Sequence, residues 1–196
     1  MLEFAANDGA AQDMFGTSVA IHGNTVIVGA DGDNGNGDSS GSAYIFVRDA
    51  STDSWSQQAK LLPIDEAAYD LFGGSVAIYE DTVIVGAIGN DDNGSASGSA
   101  FIFVRDVATN NWSQQAKLLP YDGWADDRFG YSVAIYKNTV IVGAWKDDDN
   151  GLDSGSAYIF VRDESANDWS EQPNCRPMME QLGISLAPVW QSMKTL

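Results

Sequence analysis

Three stretches of the chain carry oxygen ligands at a spacing that suits a divalent cation: Asp31-x-Asp33, Asn90-x-Asp92 and Asp147-x-Asp149. Ca²⁺ takes roughly 6–8 oxygens from a flexible loop, and Gly35 and Gly151 close two of these stretches much as a calcium loop begins. The middle stretch has Asn90 in place of the first aspartate, and none ends in the bidentate glutamate such loops use. Calcium held here would be low-affinity calcium. The same residues also read as turn chemistry. Asn-Gly recurs at Asn36, Asn93 and Asn150, and the columns Asp8, Asp65, Asp122 and Asp13, Asp70, Asp127 could brace loop amides as Asx turns. Spacing leaves both readings open.

Acid–base and nucleophilic chemistry find less support. Arg48-Asp49, Arg105-Asp106 and Arg162-Asp163 place a cation beside a carboxylate, but they recur at one position of a repeating pattern, where charge pairing between neighbouring units is the expected use. An active site is one asymmetric constellation. This chain has a single histidine, His22, and a single cysteine, Cys175, neither in a recurring column, and it offers neither a Ser/His/Asp set nor a phosphate-binding glycine loop. We therefore expect no catalytic residue and no certain cofactor, with calcium as the one candidate ion.

A formal net charge of −18 repels nucleic acid and anionic membrane and attracts divalent cations or basic protein surfaces. With 44% hydrophobic residues the chain is nonetheless a folding chain rather than an acidic tail. No apolar run approaches the ~18 residues of a membrane helix, so membrane insertion is not expected. The start, "MLEFAANDGAAQD", lacks the basic-then-apolar order of a secretion signal.

The residues that could do chemistry are positioned by a repeat. Phe15-Gly16, Phe72-Gly73 and Phe129-Gly130 open three copies 57 residues apart, and Trp55, Trp112 and Trp169 mark a late column of each. Each copy reads as four strands. In the first they are "SVAI", the β-branched run "TVIVGA", "GSAYIFVR" and the more polar "WSQQAKLL". Inner strands apolar on both faces with a wetter outer strand describe an all-β fold of propeller blades, each of four antiparallel strands. The expected blades are about 15–71, 72–128 and 129–172, with 1–14 completing a blade edge through Phe4, which aligns with Leu61. Residues 173–196 leave the repeat and form a separate tail, a short helix or a disordered segment.

"FGxSVAI" followed by "VIVGA" resembles the FG-GAP repeat of integrin α-subunit propellers and of many surface proteins. The likeness covers about residues 8 to 172. It departs where Asp31, Ile88 and Trp145 replace the proline of "GAP", and where the turn between strands one and two ("HGN", "YED", "YKN") lacks the family's calcium loop. The resemblance implies recognition or adhesion outside the cell or at its surface, with a protein or glycan as ligand. A fragment of a propeller hydrolase or lyase and a purely structural spacer are the alternatives.

Three blades are fewer than the 4–8 of a closed propeller. The expectation is a partial propeller whose further blades lie outside this chain, with a tail from a shifted reading frame or gene boundary. The alternative is two chains closing a six-bladed ring, because open blade faces favour self-association.

Overall fold

Side chains of each "TVIVGA" strand alternate between two faces, and both faces are apolar, so the strand is satisfied only with a sheet packed on either side. The computed structural model, which describes residues 3–35, 37–65 and 67–172, builds this arrangement from twelve strands. The tail at 173–196 and Asn36 lie outside the described residues.

The first sheet holds β1 (Ser18–His22), β2 (Thr25–Ala30), β3 (Ser42–Arg48) and β4 (Trp55–Leu61). The second holds β5 (Phe72–Tyr79), β6 (Thr82–Ala87), β7 (Ser99–Arg105) and β8 (Trp112–Leu118). The third holds β9 (Phe129–Tyr136), β10 (Thr139–Ala144), β11 (Ser156–Asp163) and β12 (Asp168–Glu171). Each sheet is an antiparallel meander with its strands in chain order, the pattern of a propeller blade.

The alternation becomes packing between blades. Ile27 and Ile45 of blade one and Phe72, Val83, Val85 and Phe101 of blade two form one cluster of buried side chains. One period later, Ile84 and Ile102 meet Phe129, Val140, Val142 and Tyr158. In blades one and two the isoleucines of the second and third strands thus face the next blade, and the second-strand valines face the other way. Blade one's outward face is covered in part by Phe4, which lies 5.1 Å from the ring of Phe46 and edge-on to Trp55. Residues 3–6 form no strand, and Phe4 packs against the Tyr44 and Phe46 side of blade one.

The glycine after each phenylalanine has a steric reason. Gly73 sits at φ +99°, and a Cβ there would lie 2.3 Å from the Ser42 carbonyl oxygen; Gly130, at φ +91°, has the same relation to Ser99. This close approach lets Phe72 bridge to Gly41 and Phe129 to Gly98 in the preceding blade. It also explains why β5 and β9 begin at their phenylalanines while β1, against which no described blade packs on that side, begins only at Ser18.

Candidate functional site

Because strands alternate in direction, the loops after each blade's second and fourth strands emerge on one rim, where most of the aspartates fall. They bond to one another: the amide of Tyr69 donates to the Asp38 carbonyl at 2.8 Å, and that of Asp126 to the Ser95 carbonyl at 2.8 Å. Asp13, Asp70 and Asp127 are buried. They accept the amides of Ala10, Ala67 and Trp124 at 2.6, 3.0 and 2.6 Å, so this column braces the approach to each Phe-Gly as turn chemistry requires. Burial raises the Asp70 carboxyl above its ordinary range, and burial followed by the negative field of Asp147, Asp148 and Asp149 does so for Asp127. A raised carboxyl favours the protonated fold, so these two groups oppose folding at neutral pH and cease to do so as pH falls through their raised values.

The calcium candidates have a different occupation. Asp33 is buried and accepts the Gly35 amide at 2.8 Å, the Tyr44 hydroxyl at 2.7 Å and the Lys60 ammonium at 3.0 Å. Asp147, also buried, accepts the Asp149 amide at 3.1 Å, the Ser156 hydroxyl at 2.8 Å and the Tyr158 hydroxyl at 2.6 Å. Asn90 accepts the Asp92 amide at 3.3 Å and donates to Asp70 at 3.4 Å, while the Asp92 carboxylate pairs with Lys117 at 2.7 Å. Asp31 has one buried carboxylate oxygen without a partner among the described residues.

This donor set does not fit calcium. Apart from the Asp31 oxygen, Asp33, Asn90, Asp92 and Asp147 already hold hydrogen bonds or ion pairs, in the first two blades a lysine supplies the positive charge, and among the described residues no three His, Cys, Asp or Glu are grouped to hold a metal.

Burial raises the Asp33 carboxyl, but the Tyr44 and Lys60 bonds outweigh it and hold the group below its ordinary 3.8. Its stabilising contribution is therefore in place above that value and is lost as pH falls through the lower folded value. Burial and the bond to Asp33 push the Tyr44 hydroxyl up to about 12.

In the second blade the pair changes as a unit: Asn90 replaces the aspartate and Phe101 the tyrosine. Tyr44→Phe alone leaves a buried carboxylate short of a donor and is expected to cost about 1–3 kcal/mol. Adding Asp33→Asn, which installs the second blade's pair, should recover most of that loss in urea unfolding. An additive double variant would contradict this coupling.

The opposite rim corrects one expectation. The repeated arginines pair within their own blade rather than between blades: Arg48 with Asp53, Arg105 with Asp81, and Arg162 with Asn167 at 2.5 Å. Asp49, Asp106 and Asp163 instead accept amides two and three residues ahead in tight turns. The ring of His22, half-buried at the end of the inner strand, lies 5.1 Å from that of Tyr79 in a tilted arrangement. An open cleft of about 510 Å³ lies between Arg105 and Lys137.

Reasoning from the repeat missed the exposed aromatics of the acidic rim. Tyr69, Tyr121 and Trp124 are 63%, 95% and 76% exposed. All three lie in the loops that lead from the fourth strand of one blade to the next blade. Their columns do not repeat: Gln12 and Asp126 match Tyr69, Asn7 and Ile64 match Tyr121, and Ala10 and Ala67 match Trp124. The signal was available in the sequence as large aromatics in columns that vary.

The FG-GAP repeat family matches residues 3–46, 55–103 and 112–160. No curated protein matches the sequence. Among solved structures, the chain resembles the crystal structure of Saccharomyces cerevisiae Sqt1 with a TM-score of 0.50 at 11% identity, over 82% of this chain and 35% of that one. The chain thus spans about a third of that protein's length, and at this identity the likeness is one of fold alone.

Proposed function

Because the chain belongs to the FG-GAP repeat family, and its repeats build three propeller blades, we propose that it is a non-catalytic recognition segment working outside the cell or at its surface. Its ligand is a protein or a glycan bound on the acidic rim. One observation carries this reading: on this rim the repeating column Asp13, Asp70 and Asp127 is buried and bonded internally, whereas Tyr69, Tyr121 and Trp124, whose columns do not repeat, stand exposed. A scaffold has no need of three exposed aromatic rings on one rim. Flat rings beside carboxylates suit the apolar faces of sugars or the aliphatic and cationic parts of a basic protein surface.

The test is binding of the whole chain to a glycan array and to immobilised lysine-rich peptides. Trp124→Ala and Tyr121→Ala should each weaken capture at least about tenfold, as loss of an aromatic anchor does. Glycan binding should persist in high salt, whereas peptide binding should fade. Binding indifferent to both substitutions, or absent from both surfaces, would overturn the proposal.

A further inference from the structure

The two internal blade contacts are copies of one another, and the described residues of blades one and three carry the halves of a third. At the first contact the Ser18 hydroxyl donates to the Gly73 carbonyl at 2.7 Å; at the second, Ser75 donates to Gly130 at 2.6 Å. Backbone meets backbone beside these bonds: a Cβ on Gly29 would lie 1.9 Å from the Gly73 oxygen, and one on Gly86 2.0 Å from that of Gly130. On the outer strands Trp112 donates to Gln58 and Trp169 to Gln115, each at 2.9 Å.

Among the described residues, nothing covers the receiving half of this contact on blade three. Ser132 is exposed, and Gly143 faces no backbone but that of its own blade. Ile141 and Ile159 are 42% and 44% exposed, where Ile84 and Ile102 of blade two are fully buried. Blade one presents the inserting half. Gly16 already holds φ +97°, close to the +99° of Gly73, while Val19 and Ile21 are 68% and 66% exposed against 9% and 8% for Val76 and Ile78.

We propose that a second copy of this chain seats its first blade on the third blade's open face while receiving the reciprocal contact, so that two copies close a six-bladed ring. Ser132 of each copy donates to the Gly16 carbonyl of the other. The internal contacts identify this occupant, because each half fits the other in the same register that joins blades one to two and two to three. Three blades are too few to close alone, and six fall within the usual 4–8. Two head-to-tail contacts related by a twofold axis satisfy closed symmetry. Continuing the repeat brings the acidic rims side by side, so added salt should tighten the ring.

The test is light-scattering mass over micromolar to millimolar concentrations for the whole chain, Val19→Lys and Ile141→Lys. Both substituted residues are exposed, so the blades should keep their circular dichroism. The wild type should read twice the 21.0 kDa of one chain, and each variant alone should read one. An equimolar mixture of the two variants should regain a two-chain species, because one intact half remains on each partner. A wild type that stays single, an open-ended series of masses, a variant that still pairs with itself, or a mixture that does not pair would each overturn the proposal.

Discussion

Phe72→Ala should destabilise the chain by about 3–5 kcal/mol, the usual cost of emptying a buried phenylalanine site, whereas Phe15→Ala, the same letter of the same repeated word, should cost clearly less. Their contacts inside the blade are nearly identical. Phe72 sits edge-on to Phe101 and Phe103 at 5.5 and 5.9 Å, and Phe15 to Tyr44 and Phe46 at 5.5 and 6.0 Å. They differ in what lies on the other side. Phe72 is fully buried by blade one, with Ile45 and Leu61 in its cluster, while Phe15 is only partly covered. Urea unfolding of both variants in dilute solution decides the matter. Equal losses would mean that the aromatic trio within each blade carries the energy, and that packing between blades adds little.

The second large effect is expected at Gly86. An alanine methyl there would lie 2.0 Å from the Gly130 carbonyl oxygen and 2.4 Å from the Ser75 hydroxyl. Neither blade's backbone can yield without breaking the hydrogen bond Ser75 makes to that oxygen, so Gly86→Ala should cost about 3 kcal/mol, the upper end of ordinary overpacking. The same change at Gly143 meets only the Ser132 side chain, at 2.5 Å, and a rotating hydroxyl relieves that contact. Gly143→Ala should therefore unfold near wild type when measured at concentrations where chains are single. Equal destabilisation would show that the glycine serves strand conformation rather than close approach between blades.

Much of the acidic rim's logic was already written in the repeats. Asp33 with Tyr44, Asn90 with Phe101 and Asp147 with Tyr158 change as a pair, which is what a hydroxyl-to-carboxylate bond demands: when the hydroxyl goes, a buried charge becomes costly and a neutral amide replaces it. Spacing alone could not choose between an ion and a hydrogen-bond donor as the carboxylates' partner. Asp31-x-Asp33 reads identically in either case, and Lys60, 27 residues away from Asp33 along the chain, reaches it only after β4 has been laid beside β3. Spacing is silent on the arginines for the same reason: Arg105 and Asp81 are separated by two strands, and their contact exists only because β5–β6 and β7–β8 turns share a rim.

The sequence by itself determined the local architecture. A fixed repeat, β-branched runs apolar on both faces, and turn residues between them admit four-stranded blades and little else, because strand formation and register depend on near neighbours and on period-two patterning. The tertiary structure decided what each copy of a residue is worth. Ile27, Ile84 and Ile141 stand in the same word, yet the first two are sealed by a following blade and the third faces solvent. Burial depends on which surfaces meet, and a repeating sequence prints the same letter whether or not a neighbour is there to cover it.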